Sequence, residues 1–389
     1  MSSTDVIVLG AGAAGLMCAI EAARRGRSVV VLDHAKAPGE KIRISGGGRC
    51  NFTNLSIAPE RFLSSNPRFA LSALRRFTQH DFIARVNAAG IAWHEKTLGQ
   101  LFCDGSSRQI VDMLTRDLHA AGGVVRLGVG VHKVLPGFIV ETSAGPFRAA
   151  SVVVATGGKS IPKMGATGIG YEIARDFGLD LVDTRPGLVP LTFGEDMLAQ
   201  TRDLAGIAVQ ASVGVDGQKN RFDEGLLFTH RGLSGPSILQ ISNYWREGDG
   251  LVIDLAAGRD VAAEIAQDRI GSGGREVASL VRLPDRLARA VLTRAGISGR
   301  AADLTKSGLA GLASAVHRWQ VKPVGSEGYR TAEVTLGGVD TRGLDARTME
   351  ARGVPGLFFV GEVVDVTGWL GGYNFQWAWS SGWAAGQVA

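Results

Sequence analysis

The sequence predicts an α/β fold: a parallel sheet entered at the N-terminus, interrupted by a mainly antiparallel unit, and closed by the final segment of the chain. Three observations predict it. The chain opens with an apolar run that ends at clustered glycines and passes into a helix (5–25). It ends in the same order, with the apolar run 357–360 meeting glycines and then a helix. Between 188 and 320 the texture changes to short alternating runs, followed by an Arg- and Ala-rich stretch.

Composition frames this reading. A chain of 389 residues has room for about two or three domains. The hydrophobic share of 45% and charged share of 20% are ordinary for a globular protein. No apolar run reaches the roughly 18 residues of a membrane span. The first strand-like run starts almost at residue 1, which leaves no room for a secretion signal and sets the expectation of a cytoplasmic protein without a membrane partner. Cys18, Cys50 and Cys103 are the three cysteines. Their odd number and wide spacing give no disulfide framework, no redox dithiol and no metal site. The net charge of +5 is spread along the chain, and arginine greatly outnumbers lysine. That balance leaves RNA open as a partner without pointing to it.

The first element carries the most information. Asp5–Leu9 reads as a buried strand, apolar without alternation, as in a parallel sheet. It meets Gly10-Ala11-Gly12-Ala13-Ala14-Gly15, then a helix over 16–25 stopped by Gly26, then a second buried strand over 28–32 ending at Asp33. This is a complete βαβ dinucleotide fingerprint. Gly10 allows the tight turn, Gly12 lets the backbone approach a pyrophosphate, and Gly15 lets the helix pack on the strand. The helix N-terminus offers free N–H groups and a positive dipole end. Asp33, followed by His34, stands where an acid binds ribose hydroxyls, which fits FAD or NAD and disfavours a 2′-phosphate.

A glycine-rich stretch follows, from Pro38-Gly39-Glu40-Lys41 to Ser45-Gly46-Gly47-Gly48-Arg49-Cys50-Asn51. It reads as a loop whose backbone presses against a charged ligand, with Lys41, Arg43 and Arg49 supplying positive charge. Segments 67–89 and 109–121 read as amphipathic helices. Segments 124–127, 130–135 (with Val131 among the candidate cofactor contacts) and 138–142 read as strands. A buried strand over 150–155 stops at Thr156-Gly157-Gly158, a crossover suited to lie beneath a cofactor. Gly165-Ala166-Thr167-Gly168-Ile169-Gly170 lacks a preceding strand and reads as a helix-capping loop, not a second nucleotide site.

The insertion is expected to be an antiparallel β unit, through 206–215, 225–229 and 250–254, followed by a helical part over 260–295. The expected domains are 1–187, 188–320 and 321–389, the first and last forming one nucleotide-binding domain. In the closing motif the apolar strand meets Gly361-Glu362, and Gly368-Trp369-Leu370-Gly371-Gly372-Tyr373-Asn374 leads into the last helix. Glu362 is placed to bind ribityl hydroxyls, and the amides of Gly372–Asn374 to face the pyrimidine edge of a flavin. A helix dipole there stabilises charge on the reduced ring. This second half selects FAD over NAD. The tryptophans clustered at 369–383 read mainly as core packing.

Taken together, these motifs resemble a known family, the bacterial HI0933-like flavoproteins of the YhiN/BaiN group. The resemblance is carried by 45–51 with Thr53-Asn54, by Phe228-Thr229-His230 with Leu233-Ser234-Gly235-Pro236, by 334–339 (VTLGGV), by Gly361-Glu362 and by Gly371–Asn374. It spans nearly the whole chain. Asp33 departs from the more usual Glu at its position. The resemblance implies a Rossmann-like FAD-binding domain of the two-dinucleotide-binding-domain flavoprotein type, interrupted by an inserted β-barrel-like domain with a small helical part. It also implies an NAD(P)/FAD-dependent oxidoreductase, with members linked to amine or amino-acid oxidation and to reduction, including on ribosomal RNA.

The flavin chemistry is the cofactor's own, and the residues around it orient and tune it. His230 is the candidate polar group for catalysis, as proton donor or substrate anchor, and a structural histidine is its alternative role. Cys50 reads as a small residue filling a tight loop. Three function classes follow: a flavoenzyme acting on a small molecule with NAD(P)H or an amine as electron source, a flavoenzyme reducing or modifying RNA, which the basic pI and the Arg-rich helical insertion favour, and a flavoprotein that binds or senses without turnover.

Overall fold

A computed structural model describes residues 3–272 and 274–389. The chain forms two compact units, Met1–Pro186 with Glu333–Ala389, and Gly187–Ala332.

The first unit is built on a seven-stranded sheet. Its centre is β1 (Ser3–Leu9), paired parallel with β2 (Val29–Asp33) on one side and with the strand Phe147–Val154 on the other. Val124–Leu127 extends the sheet beyond β2. Phe147–Val154 is shared between two neighbours. Its first residues pair antiparallel with Ile139–Val140, and its last three pair parallel with Leu357–Phe359. The C-terminal segment is thus an integral strand of the fold that the N-terminus begins.

β1 is solvent-free from Ile7 to Leu9, so both faces must be covered, which explains its unbroken apolar run. Between β1 and β2, α1 (Ala13–Arg24) forms from strong helix formers and is capped at Gly12. It buries Leu16, Met17 and Ile20. The closing helix (Tyr373–Gly386) packs on α1 through two glycines. A Cβ at Gly382 would lie 2.3 Å from the Ala14 carbonyl, and one at Gly386 2.7 Å from that of Cys18. Any side chain there would force the two helices apart.

Two local expectations change. The stretch expected as a loop after Pro38 starts as α2 (Glu40–Gly48), which leaves helical geometry at Ser45 (ψ 148°) and passes into left-handed Gly46 and Gly47. The single helix expected over 67–89 is two, Leu71–Arg76 and Gln79–Ala88. Thr78 and Asp81 close a reciprocal capping box that starts the second one.

The second unit carries a seven-stranded antiparallel sheet in the order 319–321, 251–254, 208–215, 221–229, 232–234, 191–192, 325–326. Residues 321–332, which the texture of the sequence assigns to the closing part of the chain, belong to this unit, because Gly325–Ser326 pairs with Leu191–Thr192. Helices Val261–Ser272, Val277–Leu280, Asp285–Ala295 and Lys306–His317 complete it.

Candidate functional site

The fingerprint glycines divide by physical role. A Cβ on Gly15 would sit 2.0 Å from the Gly10 carbonyl oxygen, and one on Gly10, whose φ is +111°, 2.5 Å from that of Ala155. These two are required by the protein's own packing. Gly12 differs. Its backbone (φ −83°, ψ −171°) suits any residue, and a Cβ there meets nothing within 4 Å. Nothing in the protein excludes a side chain at Gly12, so the space it leaves is space for a ligand. Ala13 and Ala14 follow as the first turn of α1, whose N–H groups have no side-chain cap.

Asp33 ends β2 as expected, and its carboxylate is already engaged. Oδ2 accepts from the Ala11 N–H at 2.6 Å and Oδ1 from the Ala35 N–H at 2.8 Å. It therefore clamps the fingerprint turn and keeps only its remaining lone pairs for a ribose. His34, half exposed, lies 3.7 Å from it. Val131 opens a strand just beyond Val129, whose N–H bonds the Asp33 carbonyl.

Lys41 does not stand free as a phosphate ligand. Its ammonium bonds Glu362 Oε2 at 2.6 Å and Ser160 Oγ at 2.7 Å. Glu362 Oε1 accepts from Ser160 Oγ at 3.0 Å and from the Thr335 N–H at 2.9 Å. Thr335 Oγ1 in turn accepts from the N–H groups of Lys159 and Ser160. A Cβ on Gly158 would fall 2.4 Å from Thr335 Oγ1 and 2.7 Å from Glu362 Oε1. Segments distant in sequence thus converge on one carboxylate. With Lys41, Ser160 and Thr335 already donating to it, Glu362 has about one acceptor position left for a ligand hydroxyl. Arg43 is held by Glu40 at 3.2 Å. Arg49 is exposed and is the guanidinium of this stretch left for an anion.

Ser45 accepts the Cys50 N–H on its carbonyl, which closes the glycine loop on itself. Gly47 and Gly48 hold φ of +67° and +86°, and neither would clash with protein through a Cβ. Cys50 is fully buried in a left-handed conformation. Burial pushes its thiol far above the usual range, and Cys103 is pushed up to about 11 for the same reason. Neither is a thiolate reagent. Beneath the site, Thr156 Oγ1 is buried without a partner and Gly157 is left-handed (φ +71°).

At the closing motif, the Gly361 N–H bonds Ser381 and its carbonyl accepts from Trp377 Nε1. Gly371 and Gly372 are both left-handed, and a Cβ on Gly372 would lie 2.4 Å from the Thr53 carbonyl. Asn51 is satisfied when its side-chain oxygen accepts from the Gly372 N–H (3.3 Å) and its nitrogen donates to Thr53 and Leu101. Asn374 ties Gly368 and Trp369 into the loop. The Tyr373 hydroxyl bonds Arg61, whose guanidinium lies 5.6 Å above the rings of both Tyr373 and Trp369. Trp377 and Trp379 are core, as expected, with Trp379 stacked on Phe82 at 4.2 Å.

Sequence reasoning missed Ser160, Thr335 and Arg61 as members of this constellation. Thr335 lies in the VTLGGV segment 334–339, but no local signal joins any of the three to the glycine motifs. His230 lies in the second unit, exposed at the turn between Arg221–Thr229 and Gly232–Ser234. The loop 165–170 follows a short 3-10 helix (Pro162–Met164), so it lacks the strand a second fingerprint needs. Among the described residues no cluster of metal ligands occurs and no helix is long and apolar enough to cross a membrane.

The residues fit a flavin dinucleotide. An unexplained glycine, an orphan hydroxyl and a free helix N-terminus surround the same strand ends. Comparisons agree. The model of the HI0933-like protein Rossmann domain matches residues 4–388. The chain is 49% identical to a ribosomal RNA dihydrouridine synthase of Escherichia coli K12, covering 100% of this chain and 98% of that one. It is 45% identical to a protein of the same name from Haemophilus influenzae (98% and 97%). It is also 28% identical to a 3-dehydro-bile acid delta(4,6)-reductase of Clostridium scindens (98% of each). Two solved structures share the fold. A flavocytochrome c3 fumarate reductase has TM-score 0.50 and 19% identity, covering 99% of this chain and 78% of that one. A 3-ketosteroid delta1-dehydrogenase of Sterolibacterium denitrificans has TM-score 0.50 and 14% identity, covering 99% of each.

Proposed function

This chain belongs to the HI0933-like family and is an FAD-dependent oxidoreductase, and we propose that it reduces the C5–C6 double bond of a uracil base in ribosomal RNA. The observation that carries the reading is full-length similarity at 49% identity to a ribosomal RNA dihydrouridine synthase. It is supported by a site in which Gly12, Gly47 and Gly48 leave room for a ligand.

A bound flavin supplies the hydride. The chain's own residues bind and orient. The turn 10–15 and the N-terminus of α1 hold the pyrophosphate, with Arg49 as the free cation beside it. Asp33 and His34 take the ribose, and Val131 the adenine side. Lys41, Ser160 and Thr335 fix Glu362 so that its remaining lone pair meets a ribityl hydroxyl. Ser45 to Asn51 and Thr156 to Gly158 would line the ring system, and the loop Gly371 to Asn374 would face its pyrimidine edge. Saturation of the double bond takes one hydride and one proton. The electrons would come from NADH or NADPH, leaving NAD(P)+, and His230 is the candidate proton donor. Such an enzyme works in the cytoplasm, among ribosomes.

A second reading, reduction of a conjugated double bond in a small molecule, is favoured by the bile-acid reductase relative. One experiment separates them. FAD-loaded protein and NADPH are incubated anaerobically with unmodified ribosomal RNA, and nucleosides are analysed by mass spectrometry. A uridine that gains two hydrogens supports the RNA reading. Flavin that NADPH reduces but that leaves RNA unchanged, while a steroid enone is consumed, overturns it.

A further inference from the structure

We propose that the arginine-bearing layer of residues 275–300 in the second unit is a docking surface for the phosphate backbone of RNA. The assignment deepens the ribosomal-RNA reading and rests on it. Residues 275–300 hold six arginines, Arg275, Arg282, Arg286, Arg289, Arg294 and Arg300, against Glu276 and Asp285. That is a local charge of +4.

The fold presents this charge outward. Leu287, Ala288, Val291 and Leu292 bury one side of the helix Asp285–Ala295, which fixes its rotation. Arg286 and Arg289 are therefore held on the opposite, exposed side, and Arg294 is exposed as well. Farther along, an isolated bridge between Glu276 and Arg300, with the Ala301 N–H bonded to the Arg275 carbonyl, brings exposed Arg275 and Arg300 together.

Arg282 is drawn to Glu264 at 3.8 Å, while the other guanidinium groups keep few partners within the unit. Arg286 spends one N–H on the Asp203 carbonyl at 2.6 Å, and Arg294 one on the Gln320 carbonyl. Arg289 pairs with Asp285 at 3.0 Å, but both side chains are at least 70% exposed, and such a pair yields readily to a phosphate. A guanidinium is planar, weakly hydrated and able to bond two phosphate oxygens at once, so arginine suits this partner better than lysine. A basic, outward-facing layer remote in sequence from the flavin motifs is what a large polyanion needs and a small substrate does not.

The test uses the FAD-loaded full chain and deproteinised ribosomal RNA, with affinity followed across salt concentration. In wild type, log Kobs falls linearly with log salt. Removing one phosphate-bound guanidinium lowers the slope by about 0.7–0.9. The double variant Arg286→Gln with Arg289→Gln is expected to lower it by roughly 1.5, and adding Arg300→Gln lowers it further. Flavin content and flavin reduction by NADPH stay at wild-type level, which reports folding. The double Arg→Lys variant keeps most of the slope. If wild type binds and the Gln variants keep its slope, the surface is wrong while the RNA reading stands. If wild type shows no salt-dependent RNA binding, the RNA reading fails first. Variants that no longer bind intact ribosomal subunits but still bind bare RNA would identify a protein partner and overturn the proposal.

Discussion

Replacing Gly12 and Gly15 separately by alanine separates ligand space from protein packing within one turn of the chain. At Gly15 the new methyl carbon starts 2.0 Å from the Gly10 carbonyl oxygen, where an ordinary carbon–oxygen contact is about 3.3 Å. α1 must move by about 1.3 Å from the end of β1, whose last three residues are solvent-free, in an interior packed as densely as a crystal. Overpacking of this size costs about 3 kcal/mol or more. For a unit of this size that is a fall of roughly 6–12 °C in the Tm of the flavin-free protein. At Gly12 the methyl meets no protein atom within 4 Å, and the backbone is already in a region open to alanine. The small loss at a helix N-cap and the small gain from a stiffer unfolded chain nearly cancel, to within about 0.5 kcal/mol. Gly12→Ala is therefore expected to leave the flavin-free Tm unchanged. It should weaken FAD about ten- to a hundredfold, or roughly 1.4–2.8 kcal/mol, because the methyl occupies the path of the phosphate. Thermal melts with and without FAD, and the ratio of visible to protein absorbance after purification, read both. Gly12→Ala protein that retains FAD like wild type would show that the empty space there is not the ligand's. Gly15→Ala protein as stable as wild type would refute the packing.

Other substitutions probe the remaining claims. Glu362→Ala leaves the Thr335 N–H without its acceptor and should destabilise by about 1–3 kcal/mol in urea melts, whereas Lys41→Met, at a half-exposed partner, should cost under about 1 kcal/mol. Equal effects would mean the ion pair, not the amide bond, dominates. Cys50 should resist iodoacetamide at mildly alkaline pH in the native protein and react once unfolded, and native labelling would contradict its burial. Arg342 hydrogen-bonds Asp340 and holds its carboxyl below the ordinary 3.8. That stabilisation is present above the unfolded value and is lost as pH falls through the lower folded value. The stability gap between wild type and Arg342→Ala should be constant at neutral pH and close under acid. A gap that widened in acid would reverse the sign. His230→Ala should keep FAD and its reduction by NADPH while product formation falls about a hundredfold, and unchanged turnover would return His230 to a structural role.

Much of this protein is legible one segment at a time. The fingerprint, the acid at the end of β2, the closing strand and the last helix follow from apolar runs, caps and glycines, because backbone conformation and burial period are set by near neighbours in sequence. The same local rules misjudged 38–51, where a helix forms before the glycines break it, and 67–89, where Thr78 starts a second helix. What the sequence did not determine is which side chains meet. Asp33 was readable as an acid near a ribose, but only the folded turn brings it onto the Ala11 N–H. Lys41 was readable as a cation near a phosphate, but packing carries it to Glu362, 321 residues away, and to Ser160, beside Thr335. Arg61 carried no signal until pairing of Phe62–Leu63 with Thr367–Gly368 set it over Trp369 and Tyr373. Partner choice depends on the relative placement of distant backbones, and that placement is a property of the assembled sheet, not of any stretch of sequence.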